Sequence, residues 1–471
     1  MLSEDEVVPF TARNGAGQVY VYFEQALSVT GRLSDGVVLV RANSAILGAI
    51  ALGQVMRDSI RPLSAVRLIA SRRLKRMLCL AYNHVPYYRE VMDSAGWRPE
   101  KDYKGPQDLM RLPILTKEII RRHGKEAFLR RGADLSRCHL EHSTGSTGSP
   151  LEVWRTPYAR ALQLARYMRV LLANSYRPSY RVLGFRPIDK PVSQDESLLQ
   201  RLGLLKWRKV DLKLPPEILT DEFLAFQPDV LYGNRIQLDL VCQELGKRGI
   251  RYGRLKLALP GGEVLLKSQA QRYREVLGGD VAETYGSAEF GIMAFQIAGT
   301  DGLRLCEDLA YFEFLDSDGH PTQPGQRSRI IVTDLTNPLM PLIRYEQGDW
   351  VTVAVRDGQD STSWSRLKSV EGRENDICVL PDGSTFLFLV PYIVMYNYLG
   401  VTQFRVVQKT RSLFQIQLVA DADYVDSIRN SVISDFRKLS PPSAQFDVVH
   451  VEQLAPDSTG KLRILVSEVD D

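Results

Sequence analysis

Cysteine and histidine are scarce in this chain, with five and six copies among 471 residues. Cys79, Cys138, Cys242, Cys306 and Cys378 are scattered and no two form a C-x-x-C pair. That excludes a disulfide framework and a thiolate zinc site, and it fits reduced thiols in a cytoplasm. An excess of one charge is also missing. Lys and Arg number 60 against 56 Asp and Glu, a formal net charge of +4, too small at this size to argue for nucleic acid or an anionic membrane. The longest apolar stretch, Ala45 to Met56, is shorter than the ~20 residues that span a bilayer and reads as a buried helix. The N-terminus, MLSEDEVVPF, is acidic where a secretory signal would be basic. There is no Walker A loop, no G-x-S-x-G elbow, no internal repeat and no low-complexity tract. What is present is ordinary globular composition, 44% hydrophobic and 25% charged, and enough chain for a large domain plus a smaller one.

Residues 1–60 carry no chemical motif, and 1–80 read as a helical lead-in. Pro62 to Met77 is helical in pattern, with Arg67, Arg72, Arg73, Lys75 and Arg76 on one side; this is a solvated helix face rather than a membrane contact. Asp108 to Ile120 reads as a loop running into a helix capped at Thr116. From about 140 to 335, β-rich runs (Arg181–Phe185, Asp229–Tyr232, Leu255–Leu259, Val281–Tyr285) alternate with helical patterns. One such helix, Ile236 to Lys247, places Ile236, Leu240, Val241 and Leu245 on one face, with Gly249 past its end. The alternation predicts an α/β architecture. Tyr311–Leu315 and Arg329–Val332 read as strands around a turn at Asp318-Gly319. After about Gly372 the character changes. Strands at Leu413–Val419, Phe446–Val451 and Leu462–Val466 and a helix at Asp423–Lys438 make a small α+β unit, large enough to fold separately.

The most informative segment is Ser143-Thr144-Gly145-Ser146-Thr147-Gly148-Ser149-Pro150. Two glycines let backbone approach a ligand, and hydroxyls and amides supply donors, as in loops that wrap phosphates. A Ser/Gly linker has the same composition. The position between a strand-like run and a helix-like stretch with Tyr158 and Tyr167 is a poor one for a linker. Just upstream, Cys138-His139-Leu140-Glu141-His142 reads as an entering strand and not as a metal site. Cys306, beside Glu307 and Asp308, reads as a buried structural thiol.

The loop is similar to the S/T-S/T-G-S/T-T-G-x-P phosphate loop of adenylate-forming enzymes, the acyl-CoA synthetase and luciferase superfamily. His84-Val85-Pro86-Tyr87-Tyr88-Arg89 and Leu112-Pro113-Ile114-Leu115-Thr116-Lys117 resemble the lead-in of its phenylacetate–CoA ligase branch. Further motifs follow in the family's order. Pro260-Gly261-Gly262-Glu263 resembles the turn near the adenine, and Thr284-Tyr285-Gly286-Ser287-Ala288-Glu289 resembles Y-G-x-S/T-E. Arg344-Tyr345-Glu346-Gln347-Gly348-Asp349 resembles R-Y-x-x-G-D, Gly372-Arg373-Glu374-Asn375-Asp376 the G-R-x-D-D hinge, and Thr459-Gly460-Lys461 the C-terminal G-K. Together they cover about residues 80–465.

The resemblance implies a large N-terminal α/β domain, residues 1–374, with several sheets and flanking helices. A small mobile α+β domain, 375–471, would pivot at Asn375. It implies that ATP and a carboxylic acid form an acyl-adenylate and pyrophosphate, and that the acyl group passes to a thiol of coenzyme A or of a carrier protein's phosphopantetheine. Ser143, Thr144, Gly145, Ser146, Thr147 and Gly148 would hold phosphates and Glu289 would hold Mg²⁺. Tyr285 would stack on adenine, with Gly261, Gly262, Glu263, Thr284, Gly286 and Ser287 around the nucleotide. Asp349 would accept from the ribose hydroxyls, Arg373 would lie near ribose or phosphates, and Lys461 would be the catalytic lysine. Phe185, Tyr232, Asn234, Gly261 and Gly286 are expected to line the acid pocket, whose aromatic walls suit an aryl acid. The resemblance allows a homodimer and an acyl carrier protein as partner. Interception of the acyl-adenylate by an amine or amino acid is a second reading, and a non-catalytic nucleotide-binding protein of the same fold a third.

The chain departs from the pattern at three places. Leu151 follows the loop where several synthetases have Lys. Gly302-Leu303-Arg304-Leu305-Cys306-Glu307-Asp308 has Arg304 for the His of G-L-H-x-x-E-D. Leu380-Pro381-Asp382-Gly383-Ser384-Thr385 replaces G-V-N. This tail is more similar to a capsular-biosynthesis-type subgroup. The departures bear on the acceptor and leave the adenylation motifs whole.

Overall fold

The computed structural model describes residues 10–13, 19–22, 44–142, 151–186, 188, 198–262, 265, 267–355, 364–373, 377–387, 389–395, 398, 400–401, 403–454 and 464–469. The lead-in expected to be helical over 1–80 begins instead with a strand pair, β1 (Phe10–Arg13) antiparallel to β2 (Val19–Tyr22). Helices follow: α1 (Ser44–Ser59), α2 (Leu63–His84), α3 (Pro86–Ser94), α4 (Pro99–Asp102) and α5 (Lys117–His123). Proline opens α3 and α4, where its missing N–H has no helical acceptor to lose. The Thr116 hydroxyl accepts from the Ile119 N–H at 3.3 Å and starts α5, the cap read in the sequence.

Helix α1 is not buried all round, as its apolar run suggested. Leu47, Ala51 and Val55 are covered, whereas Ile46 and Ile50 are 43% and 37% exposed. The i, i+4, i+8 spacing buries one face only, against Tyr158, Ala161, Leu162 and Ala165 of a later helix. On α2, Arg67, Arg72, Lys75 and Arg76 form the expected solvated face, but Arg73 does not belong to it. It is buried, bonding the Asp58 carboxylate at 3.0 Å and the Asp308 carbonyl at 2.7 Å.

The chain continues with β3 (His139–His142), β4 (Glu152–Arg155), α6 (Pro157–Ala173), β5 (Val182–Arg186), α7 (Leu198–Arg201), β6 (Trp207–Asp211), α8 (Pro216–Phe226), β7 (Val230–Asn234), α9 (Arg235–Lys247), β8 (Leu257–Gly261) and α10 (Lys267–Val276). Short strands follow: β9 (Asp280–Val281), β10 (Thr284–Ser287), β11 (Gly291–Phe295), β12 (Leu303–Leu305), β13 (Ala310–Leu315), β14 (Arg327–Asp334), β15 (Tyr345–Val353) and β16 (Arg366–Arg373). Twelve strands make one sheet in the order β13-β14-β15-β16-β12-β11-β10-β8-β7-β5-β6, with β9 also on β8. β5 to β9 pair in parallel, joined by helices. β10 is the turning point, parallel to β8 at Thr284–Gly261 and antiparallel to β11. Beyond it every pairing is antiparallel.

Strand alternation sorts the parallel half into two faces. Val182, Val230, Tyr232, Leu257 and Leu259 pack with Val170 and Leu171 of α6. Leu183, Phe185, Leu231 and Ala258 pack with α8, α9 and α10. The buried face of α9 is Leu238, Val241, Cys242 and Leu245. It is rotated from the expected one, because Ile236 and Leu240 are only half-buried. Gly249 has φ +65° and lets the Ile250 N–H reach the Leu245 carbonyl at 2.9 Å, the close of a helix that needs a left-handed residue.

The last segment contains β17 (Ile377–Val379), β18 (Thr385–Leu387), α11 (Leu389–Met395), β19 (Gln403–Gln408), β20 (Leu413–Val419), α12 (Ala422–Lys438), β21 (Gln445–His450) and β22 (Leu465–Ser467). It has its own four-stranded sheet, β21-β20-β19-β22. Its core, with Phe386, Phe414, Val432, Phe436 and Phe446, draws every buried member from residues 378–465.

Candidate active site

Strand β10 carries the Tyr-Gly motif and is irregular by necessity. Its register with β11 shifts between Tyr285 and Gly286. A Cβ on Gly286 would lie 2.5 Å from the Gly291 carbonyl oxygen, so only glycine fits this close backbone approach. Gly286 is exposed and Ser287 half-buried, and the Ser287 hydroxyl oxygen is buried without a partner among the described residues.

Tyr285 is buried, and its hydroxyl donates to Asp349 Oδ2 at 2.7 Å. Two residues 64 positions apart in the chain thereby meet. Asp349 stands on β15 in register with Arg373 on β16; the side chain of Arg373 lies outside the described residues. Glu289 is 8% exposed and its Oε1 accepts from the Tyr345 hydroxyl at 3.2 Å. The Y-G-x-S/T-E and R-Y-x-x-G-D motifs are therefore joined twice, at Tyr285–Asp349 and at Tyr345–Glu289.

A third element closes on the same turn. The Arg155 guanidinium donates to the Ala288 and Glu289 carbonyls, both at 2.6 Å, and its Nε to Glu141 at 3.1 Å. Glu141 also accepts from Arg160 at 2.7 Å and from Gln163 at 2.8 Å. Burial opposes ionisation of Glu141, yet Arg155, Gln163 and Arg160 hold its carboxyl below the ordinary value. Glu141 and Arg155 flank the glycine-rich segment, and His142 and Glu152 are register partners across β3–β4. Ser143, Thr144, Gly145, Ser146, Thr147 and Gly148 themselves lie outside the described residues, as do Glu263, Asn375 and Lys461.

At the end of β8, Gly261 is flanked in register by Asn234 and Thr284, and a Cβ there would come within 2.9 Å of Thr284 Oγ1. Gly262 has φ +82° and faces the Asn234 amide, so this turn needs both glycines. Tyr232, Asn234 and Gly261 share the sheet face toward α6, at the carboxyl ends of the parallel strands beside the turning point, where open α/β sheets bind ligands. Phe185 does not join them. With odd parity on β5 it points to the other face, 1% exposed among Leu183, Val210 and Leu231, so its place in the expected pocket is corrected. Glu283, just before the motif, is raised by burial to about 7, against a weak bond from the Leu265 N–H at 3.5 Å.

Sequence reasoning missed Tyr345, Arg155 and Glu141 as members of the site. Tyr345 lay inside a quoted motif, while Arg155 and Glu141 had only their place beside the loop. The lead-in motifs prove to be supports. The Tyr88 hydroxyl donates to the Pro341 carbonyl at 2.9 Å and accepts from the Ile343 N–H at 3.0 Å. Leu115 bonds Arg344 and Glu346 backbone, both at 2.9 Å. Arg344, at φ +52°, is buried on Glu313 and the Leu112 carbonyl. Arg304 is structural too: it stacks 3.9 Å from the Trp364 ring centroid and donates to the Ser59 carbonyl ending α1 at 2.9 Å. Cys306 is fully buried and its thiol is raised by that burial, as expected of a structural cysteine. No helix among the described residues is long and apolar enough to cross a membrane.

Comparison with known proteins finds phenylacetate-coenzyme A ligases among the relatives. No family model matches the chain. Phenylacetate-coenzyme A ligase of Thermus thermophilus is 25% identical over 400 residues, 79% of this chain and 86% of that one. The Escherichia coli phenylacetate-coenzyme A ligase is 25% identical over 342 residues, covering 68% and 74%. Among solved structures, 2-hydroxyisobutyryl-CoA ligase in its postadenylation state superposes with a TM-score of 0.69 at 19% identity, over 85% of this chain and 89% of that one. The chain is therefore similar to the phenylacetate-coenzyme A ligases at 25% identity and shares the fold of 2-hydroxyisobutyryl-CoA ligase.

Proposed function

We propose that the protein is an AMP-forming ligase that activates a carboxylic acid with ATP and transfers the acyl group to a thiol. The observation that carries this reading is the double junction of Tyr285 with Asp349 and of Glu289 with Tyr345. A carboxylate oxygen of the acid attacks the α-phosphorus, the bond to the β-phosphate oxygen breaks, and pyrophosphate leaves with the electron pair. In the second half a thiolate sulfur attacks the acyl carbon, the bond to AMP breaks, and AMP departs. The difficulty in the first half is bringing an anion against a polyanion, so positive charge and orientation must come from the site.

In this reading Ser143–Gly148 hold the terminal phosphates, Asp349 the ribose hydroxyls, and Tyr285, Gly261, Gly262 and Thr284 the nucleotide. Arg373 neutralises charge near them. Lys461, a compact ammonium on a flexible stem, bridges the acid carboxylate and the α-phosphate. Glu289 suits Mg²⁺: its buried carboxylate takes one phenolic hydrogen bond and has no cationic partner among the described residues, and Mg²⁺ takes few carboxylates alongside phosphates. The metal would offset triphosphate charge. The acceptor is coenzyme A or a carrier-protein phosphopantetheine, and the compartment a reducing cytoplasm, in keeping with five free cysteines. The domain boundary falls near Asn375, between the end of β16 at Arg373 and the start of β17 at Ile377, and the C-terminal unit moves about it.

ATP–pyrophosphate exchange across a panel of aryl, fatty and dicarboxylic acids tests the reading. Exchange with at least one acid is expected. Lys461→Ala and Glu289→Gln should each cut it about 100-fold or more, the scale of losing a charge that stabilises the transition state. Exchange unaffected by both variants would sink the assigned roles.

A further inference from the structure

The face of the parallel sheet toward α6 carries, beside Gly261, a group of residues to which the adenylation steps above give no role. Alternation places Gly184 and Arg186 of β5, Tyr232 and Asn234 of β7, and Gly261 of β8 on this one face. The Tyr232 ring lies flat across Gly184: a Cβ there would sit 2.0 Å from Tyr232 Cζ and 2.3 Å from its hydroxyl. Tyr167 of α6 meets Tyr232 edge-on with ring centroids 5.1 Å apart, and Trp207 closes the cluster 6.2 Å from Tyr167 and 6.4 Å from Tyr232.

Into this aromatic wall projects a guanidinium. Arg186 stacks 5.1 Å from the Tyr232 ring centroid, and its charge opposes the rise that burial imposes on that phenol. Arg186 is exposed and has no carboxylate partner among the described residues. Its register neighbour on β6, Asp211, accepts instead from the Lys213 N–H at 3.2 Å. The nearby Arg160 is already engaged with Glu141. The Tyr167 hydroxyl is buried and has no hydrogen-bond partner among the described residues, an orphan that costs stability unless something meets it. A guanidinium with no carboxylate partner, and a phenol with no hydrogen-bond partner, among the described residues are together the donor set for a carboxylate.

We infer that Arg186, with the hydroxyls of Tyr167 and Tyr232, receives a second carboxylate, so that the acid activated here is a dicarboxylic acid. The distal carboxylate docks on this wall and holds the reacting carboxylate toward Gly261 and the Tyr-Gly turn. A purely apolar acid would bury Arg186 and leave the Tyr167 hydroxyl unmet. The inference rests on the ligase reading, since it assumes that the acid lies between α6 and the strand ends.

Pyrophosphate exchange with paired acids tests it: 4-carboxyphenylacetate against phenylacetate, and adipate against hexanoate. The wild type should favour the diacid of a pair. Arg186→Gln should lower the diacid-to-monoacid ratio of kcat/KM about 10- to 100-fold, the value of a charge-assisted hydrogen bond. Tyr167→Phe, which keeps the ring packing, should lower it about tenfold. A merely structural role for either residue would depress both acids alike and leave the ratio unmoved, and an unmoved ratio overturns the inference whichever acid the wild type prefers. Exchange confined to the monoacids overturns it too while leaving the ligase reading standing. Absence of exchange with every acid overturns both.

Discussion

Glu283 sits two residues before Tyr285 of the Tyr-Gly turn, and burial raises its carboxyl to about 7 from 4.5. Between those values the folded protein binds more protons than the unfolded chain. Stability is therefore full below about pH 4.5 and declines as pH rises through 7. Glu283→Gln keeps an acceptor for the Leu265 N–H and removes the titration. The melting temperature of the variant relative to wild type should accordingly rise by about 2 °C between pH 5 and pH 8, read by scanning calorimetry; a constant difference would show that Glu283 does not titrate in this window. Other buried charges behave differently because they are paired. Asp308, fully buried, is gripped by Arg169 at 2.9 and 2.5 Å, and burial, which would raise it, is outweighed so that its carboxyl lies below the ordinary range. The departure at Arg304 is explained next to this pair, by its stacking on Trp364 and its bond to Ser59, and not by contact with a reacting group.

At the scale of elements, the segment 341–344 has no strand partner of its own and must deliver Tyr345, the first residue of β15, against Glu289. α3 and the approach to α5 supply what it lacks. Tyr88 on α3 satisfies two of its backbone groups, and Leu115 adds an isolated parallel bridge to Tyr345. Tyr88→Phe removes one hydroxyl and leaves a buried N–H and a buried carbonyl unmet. It should cost about 1–3 kcal/mol in a urea titration and lower exchange activity as Tyr345 loses its support. Full stability and activity in this variant would mean that the segment holds its shape without α3. The two motifs upstream of the glycine-rich segment thus act through packing on the chain around Pro341 to Glu346: Tyr88 and Pro341 are 253 residues apart in sequence but in direct contact once folded.

At the scale of the molecule, the C-terminal core shares no buried member with the others among the described residues. Phe414→Ala removes its central ring, packed 4.4 Å from Phe386 and 5.7 Å from Phe446 by centroid, at a cost of about 3–5 kcal/mol. Hydrogen exchange should quicken across β19 to β22 while β5, β7 and β8 keep their protection; loss of protection in both would mean one cooperative unit. The order of motifs, the α/β alternation, β5, β7 and β8 of the parallel half and the α+β tail were legible in the chain, because period-two and helical patterns and glycine turns are local properties; β6 was not read, and the run Val281–Tyr285 is split between β9 and β10. The rotation of α9, the single buried face of α1 and the opposite parity of Phe185 were not, since each is set by which neighbour covers a face. The pairing of Tyr285 with Asp349 and of Glu289 with Tyr345, the grip of Arg155 on the turn, and the meeting of Arg186, Tyr232 and Tyr167 join residues distant in the chain. Sequence determined which chemical groups this protein carries. Only the tertiary structure, by folding β10, β15 and α6 together, decided which of them face each other.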